Sequence, residues 1–81
     1  MNNKKYLLTK NNIIARKIEH KIIDSEVVNN KLELSEMIGI TYAKFNRRMI
    51  EGKWTLQEAF DICNIFNVTI EEIFSNYEDF N

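Results

Sequence analysis

The chain of 81 residues contains no proline and only two glycines, Gly39 and Gly52. Strands and tight turns usually depend on these two residue types, so their scarcity disfavours an all-β fold and favours helices. No apolar run approaches the roughly 20 residues that a membrane-spanning helix needs. Near the N-terminus, Lys4 and Lys5 precede only a very short apolar stretch. We therefore expect neither a membrane span nor a secretory signal.

Cysteine and histidine occur once each, at Cys63 and His20. A single cysteine excludes an internal disulfide and fits a reducing cytoplasm. One cysteine and one histidine cannot supply a Cys/His zinc site. The sequence also lacks a nucleophile–histidine–acid order, metal-ligand spacing and a glycine-rich phosphate loop. We therefore expect a cytoplasmic protein that is not an enzyme and that holds no metal or other cofactor.

The net charge of −1 conceals a strong polarity along the chain. Residues 1–53 carry all 11 basic residues and six acidic ones, for a net charge of +5. Residues 54–81 carry six acidic residues and no basic one, for a net charge of −6. One pole could face phosphates while the other faces solvent or a partner. The alternative is that both poles are ordinary solvated faces.

Apolar residues recur at helical spacing in five segments. The predicted helices span residues 12–24, 31–38, 42–50, 56–66 and 70–77. The apolar stripe of the first is Ile14, Ile18 and Ile22. The stripes of the fourth and fifth are Leu56, Ala59, Phe60, Cys63 and Phe66, and then Ile70, Ile73, Phe74 and Tyr77. We expect one all-α domain over residues 1–81, with a core at about 12–74 between a short basic N-terminal segment and an acidic C-terminal tail.

Capping signals define most of the predicted helix ends. Three helix starts carry a capping-box pattern, which is worth about 1 kcal/mol per cap. The three pairs are Asn30–Glu33, Thr55–Glu58 and Thr69–Glu72. Gly39 and Gly52 follow the second and third helices, where glycine favours a helix stop.

Gly39, Ile40 and Thr41 join the second and third predicted helices. A three-residue link that begins with glycine is typical of the helix-turn-helix unit, here at about residues 31–50. Four segments then carry a family resemblance: LSEMIGIT at 34–41, FNRRM at 45–49, TLQEAFDI at 55–62 and FNVTIEEIF at 66–74. In this order they resemble the Cro/cI type of phage repressor domain, also described as lambda-repressor-like or XRE-type. The resemblance implies a five-helix domain whose third helix reads the major groove of DNA.

The resemblance also implies a set of contact residues. The base-reading positions are Tyr42, Ala43, Asn46 and Arg47. Phosphate contacts fall on Lys31, where the family commonly has glutamine, and on Lys53 and Trp54 after the third helix. The residue chemistry agrees, because arginine can bind guanine and asparagine can bind adenine through two hydrogen bonds each. Lys44 and Arg48 are further candidates for phosphate contacts.

Several of these residues have a structural role as the alternative. Arg47 and Arg48 could form a solvated face, and Tyr42 could pack over the turn. Trp54 could instead close the core between the third and fourth helices. Lys44 stands in the first turn of its helix, where a cation opposes the helix dipole by about 0.3–1 kcal/mol. This departure is either a compromise for DNA contact or a solvated side chain with a negligible penalty.

The sequence leaves two functions open. One is a transcription regulator of a phage or mobile element, Cro-like or a short repressor, that binds operator DNA as a homodimer. The other is a protein-interaction module on the same fold, such as an antirepressor or a phage inhibitor of a host protein. Phe74, Tyr77 and Phe80 form an apolar set that either packs internally or buries against a second copy.

Overall fold

The computed structural model describes residues 10–74, with side chains from residue 13 onward. Within this range the chain forms five helices and no strand, which confirms the predicted all-α fold. The helices are α1 (Lys10–Asp24), α2 (Lys31–Met37), α3 (Tyr42–Glu51), α4 (Leu56–Phe66) and α5 (Ile70–Ile73). α4 has the predicted bounds. α1 begins two residues earlier than predicted, and the C-terminal ends of α2 and α3 differ from the prediction by one residue each.

The end of α5 differs most from the prediction. The helix ends at Ile73, and Phe74 is its C-cap with φ −114° and ψ 78°, rather than part of a helix that continues to residue 77. Phe74 is fully buried, and its ring centroid lies 6.1 Å from that of Trp54. Of the two alternatives left open for Phe74, the structure therefore shows internal packing, and Phe74 belongs to the core of its own domain. Tyr77 and Phe80 lie outside the described residues.

The predicted N-caps form at α2 and α4. The Asn30 side chain accepts a hydrogen bond from the Glu33 N–H at 2.8 Å, but the Glu33 carboxylate accepts from the Asn29 N–H at 2.7 Å instead of closing a strict capping box. At α4 the box is complete. The Glu58 N–H donates to Thr55 Oγ1 at 3.1 Å, and the Thr55 N–H donates to Glu58 Oε1 at 3.0 Å. These bonds satisfy donors that every helix start otherwise leaves unpaired.

The core surrounds Trp54, whose ring meets those of Phe45 and Phe74 edge to face. Aromatic rings prefer this arrangement because the edge of one ring is positive and the face of the other is negative. The buried apolar side chains are Ile14, Ile18, Ile22, Val28, Leu34, Phe45, Met49, Trp54, Ala59, Ile62, Cys63, Ile73 and Phe74. The core thus joins all five helices.

The apolar stripe predicted for α4 is correct only in part. Ala59 and Cys63 are buried together with Ile62, whereas Leu56 and Phe60 each remain 46% exposed. The helix is turned so that Glu58 also faces inward, and its residue is only 8% exposed. The orientation of α4 therefore depends on a charged residue that the apolar spacing does not reveal.

The link between α1 and α2 is a serine-centred turn. Ser25 Oγ accepts hydrogen bonds from the N–H groups of Val27 and Val28, at 2.9 and 3.0 Å. Serine commonly forms such local bonds, which replace the backbone pairing of a helix. Val28 is then fully buried, so this residue anchors the link to the core.

Candidate nucleic-acid interface

The turn between α2 and α3 has the conformation that its glycine predicts. Gly39 adopts φ +78°, a left-handed conformation that glycine reaches without steric penalty. The N–H of Ile40 donates to the carbonyl of Ser35 at 3.1 Å, and Ile40 packs against the core. Thr41 then caps α3 by accepting a hydrogen bond from the Lys44 N–H at 3.1 Å. The bend is therefore fixed at both ends, and so is the direction in which α3 leaves it.

α3 buries one side and presents the other to solvent. Phe45 and Met49 are its buried residues. Successive residues of a helix are separated by about 100° of rotation, so Arg47 points almost directly away from this buried pair. Ala43 and Arg47 are exposed, and Tyr42 is 43% exposed. The outward side of α3 is thus open to a ligand along its N-terminal half.

Of the four predicted base-reading residues, Ala43 and Arg47 lie on this open side, whereas the rotation of about 100° per residue places Tyr42 and Asn46 nearer to the buried pair. Tyr42, Ala43 and Arg47 are exposed, and Asn46 is partly buried. Within the described residues, Arg47 takes part in no hydrogen bond or ion pair. Its five donors are therefore available for an acceptor outside the domain.

Arg48 does not occupy the position expected of a phosphate ligand. Its Nε donates to Glu58 Oε1 at 2.8 Å and its Nη2 donates to Glu58 Oε2 at 3.1 Å. The two side chains are only 19% and 10% exposed. Such a two-bond arginine–carboxylate pair is stronger than a neutral hydrogen bond and fixes its geometry. Arg48 therefore connects α3 to α4, which corrects its prediction as a phosphate ligand.

Glu58 is held in its charged form by this contact. Burial by itself raises the pKa of a carboxyl group, because it removes water from the charge. Hydrogen bonds from Arg48 and from the N–H of Thr55 outweigh that effect, so the pKa of Glu58 lies below its ordinary value. One carboxylate therefore both caps α4 and binds α3, and it fixes the angle between the two helices.

Trp54 also departs from the predicted phosphate role. The indole is fully buried between Phe45 and Phe74, and its Nε1–H meets no acceptor oxygen or nitrogen. The side chain therefore closes the core between α3 and α4 and cannot present its N–H to DNA. Lys53, the residue before it, is exposed and follows Gly52 at φ +73°.

Two further predicted phosphate ligands lie on α2 and α3. Lys44 is exposed in the first turn of α3, which contains no acidic residue. Lys31 is the first residue of α2, and its Nζ lies 3.2 Å from Glu19 Oε2 of α1. Both members of this pair keep substantial exposure, at 40% and 42% of their side chains. Lys31 is thus accessible but already has an intramolecular partner.

A second cationic surface, not predicted from the sequence, lies on α1. Arg16, Lys17 and Lys21 border a cleft of about 420 Å³ together with His20 and with Glu72 of α5. Lys21 Nζ lies 3.6 Å from Glu72 Oε2, so part of this charge is neutralised within the domain. The basic residues of the chain are therefore not confined to the helix-turn-helix unit.

The described residues offer little to other classes of ligand. No group of three histidine, cysteine or acidic side chains is placed to hold a metal ion within residues 10–74. None of the helices in this range has the length and apolar character required to cross a bilayer. The candidate site is the exposed side of α3 with the cations near it.

Two short helices joined by a glycine turn, with the second exposed on its outer side, define a helix-turn-helix protein. Residues 17–79 match the family model of the Cro/C1-type HTH DNA-binding domain. This match covers well over half of the 81 residues, and the chain belongs to that family. It confirms the family expected from the sequence. Comparisons with curated proteins and with solved structures gave no match.

Proposed function

We propose that the chain is a sequence-specific transcription regulator that binds operator DNA through the outward side of α3. The observation that carries this proposal is the state of Arg47. It is exposed, unpaired within the described residues and opposite the buried Phe45 and Met49, on a domain of a DNA-binding family. An arginine in this position is free to form two hydrogen bonds with the O6 and N7 atoms of guanine.

The neighbouring residues suit the remaining contacts. Asn46 can bind adenine through two hydrogen bonds, and Ala43 or the ring of Tyr42 can meet a thymine methyl group. Lys31, Lys44 and Lys53 suit phosphate oxygens, which position a protein on the duplex without reading its sequence. Arg48 and Trp54 are left out of this contact set, since one is bound to Glu58 and the other is buried.

We further propose that the regulator is Cro-like, or a short repressor, of a phage or mobile element and acts in the cytoplasm of a bacterial host. Helix-turn-helix proteins that bind DNA as homodimers recognise two half-sites about 34–36 Å apart, which is one turn of the DNA helix. We expect the same symmetry in the operator of this chain. Because Phe74 is buried in the core, we expect other residues to form a dimer interface.

Selection of bound duplexes from a random DNA pool tests this function directly. We expect one enriched sequence with two related half-sites, and a mass from light scattering that equals two chains per duplex. An enriched sequence without repeated half-sites would remove the dimer but keep the specific reader. If no sequence is enriched, the chain does not read DNA in the proposed way.

Arg47→Ala then tests the residue at the centre of the proposal. We expect a loss of about 1–3 kcal/mol on the enriched duplex and a relaxed preference at one base position. Arg16→Ala is the matched control, because it removes the same side chain from an exposed site on α1. A uniform loss on all duplexes, equal for the two variants, would remove the base-reading role from Arg47.

The alternative of a protein-interaction module rests on a different surface. Leu56 and Phe60 stand one turn apart on α4, and each is 46% exposed. Half-exposed apolar pairs are common on soluble proteins, so they support this alternative less strongly than Arg47 supports DNA binding. Two results together would favour this alternative. The chain would retain a host protein that the Leu56→Ser and Phe60→Ser variants do not retain, and the DNA selection would enrich no duplex.

A further inference from the structure

The ion pair between α1 and α2 involves a residue that the proposed function assigns to DNA. Lys31 Nζ lies 3.2 Å from Glu19 Oε2, and both side chains are about two-fifths exposed. An open cleft of about 290 Å³ lies beside the pair and is also lined by Ile22, Ile23 and Asn30. The ammonium group is thus reachable from solvent while a carboxylate already occupies one side of it.

We propose that Glu19 competes with DNA phosphate for Lys31 and thereby sets the affinity of the domain for DNA. The proposal rests on the proposed function, since it needs Lys31 at the DNA backbone. A lysine ammonium has three donors on a flexible stem, so it can exchange one oxygen partner for another. If Glu19 leaves, the ion pair is lost on binding, and if Glu19 stays, two negative groups lie side by side. Glu19 opposes the contact in both cases.

Glu19 is not required to place Lys31. The start of α2 is fixed independently by Asn30, whose side chain accepts a hydrogen bond from the Glu33 N–H, and by the fully buried Val28 and Leu34. An ion pair this exposed contributes little to folding. Removal of the Glu19 charge therefore frees the ammonium group of Lys31 without displacing the helix that carries it.

The size of the effect follows from the distance between the charges. Glu19 lies 3.2 Å from the ammonium group of Lys31, and the loss of this attraction when Lys31 turns to a phosphate weakens DNA binding by about three- to tenfold, depending on the local dielectric constant. Salt screens exposed charges beyond about 10 Å at 0.1 M and beyond about 3 Å at 1 M. The ratio of the DNA affinities without and with the Glu19 charge should therefore be largest at low salt and should approach one as the salt concentration rises.

The test uses the full chain and the duplex that the wild type enriches from a random pool. Glu19→Gln should bind this duplex about three- to tenfold more tightly at 50 mM salt, by the same estimate. Glu26→Gln is the matched control, because Glu26 is exposed, lies in the α1–α2 link and makes no hydrogen bond or ion pair in the described structure. It removes the same charge five residues before Lys31 in the sequence and, because it forms no ion pair with Lys31, should change binding by less than about twofold.

A double-mutant cycle separates competition at Lys31 from general repulsion. In the Lys31→Ala background, Glu19→Gln should give no more than the gain of the Glu26→Gln control. A gain of full size in that background, or no gain in the wild type, would overturn the competition. If the wild type reads DNA and Glu19→Gln binds no tighter, only this inference fails. If neither protein binds any duplex, the proposed function fails with it.

Discussion

Adjacent arginines of α3 should separate fold stability from DNA binding. Arg48 binds Glu58 through two hydrogen bonds of 2.8 and 3.1 Å, whereas Arg47 makes no contact of this kind in the described structure. Arg48→Ala should therefore destabilise the domain, and Arg47→Ala should leave its stability nearly unchanged. The two substitutions remove the same side chain from neighbouring positions, so each is the matched control of the other.

The magnitude follows from what Arg48→Ala leaves behind. The Glu58 carboxylate, 10% exposed, would keep only its contact with the backbone of Thr55 and α4. Removal of one partner from a fully buried ion pair costs about 3–5 kcal/mol. The pair between Arg48 and Glu58 retains some exposure and solvent screens it in part, so we expect Arg48→Ala to lower the free energy of unfolding by about 2–3 kcal/mol. Arg47→Ala should change the free energy of unfolding by less than about 0.5 kcal/mol, as substitutions at exposed positions usually do.

Urea unfolding provides the assay, and Trp54 provides its signal. The chain has one tryptophan, and its complete burial against two phenylalanine rings should make its fluorescence sensitive to unfolding. With a slope of about 1–1.5 kcal/mol per molar urea, Arg48→Ala should lower the midpoint by about 2 M. Circular dichroism should report the same midpoint if unfolding is two-state.

Equal midpoints for the two variants would refute this reasoning. They would mean that the pair between Arg48 and Glu58 contributes no more than a surface contact. A larger loss for Arg47→Ala would be more serious, because it would place Arg47 inside the fold and remove it from the proposed DNA interface.

Three other predictions concern the titratable groups and the turn. Burial raises the pKa of Glu58, but its hydrogen bonds lower the pKa below the ordinary value of 4.5. The stability that these bonds supply is therefore fully present above pH 4.5 and is lost as the pH falls further. Glu58→Gln should remove this acid-dependent part of the change in urea midpoint with pH. Gly39→Ala should cost about 1–2 kcal/mol in urea unfolding, because φ is +78° although no atom lies within 4 Å of the added carbon, and an unchanged midpoint would contradict this. Burial and the charges of Glu72 and Glu71 raise the pKa of Cys63 to about 11, so a disulfide reagent at pH 8 should modify it only after unfolding; rapid modification of the folded chain would show that the thiol is accessible.

Helix starts could be predicted from the sequence because their signals are local. Asn30 and Thr55 cap the helices that follow them, and a cap needs only residues three positions away. The end of α4 is less obvious, since Asn67 adopts the left-handed conformation there at φ 58° without being glycine. Asparagine tolerates this conformation better than most residues, which is the signal that identifies such an end.

The end of α5 could not be predicted from apolar spacing. Phe74 continues the helical stripe in sequence, but in the structure it leaves the helix and packs against Trp54. The two arrangements bury the same side chain, and the choice between them depends on the position of Trp54. That position is set by tertiary contacts from α3 and the following loop.

The different roles of Arg47 and Arg48 also depend on tertiary contact. Both residues fit a phosphate or a base in isolation. A rotation of about 100° places Arg48 beside the buried Phe45, and this was the available signal that it faces another helix. The sequence predicts its partner Glu58 only as part of a capping box. A second role for the same carboxylate becomes visible only when α3 and α4 are placed together.

Amide chemical shifts of the labelled protein, recorded as the enriched duplex is added, test the central claim most directly. We predict that the largest changes fall on residues 41–47, with smaller ones at Lys31 and Lys53, and that Arg47→Ala reduces them. Changes confined to the cationic side of α1 or to α5, with the amides of residues 41–47 unmoved, would show that DNA contacts another surface.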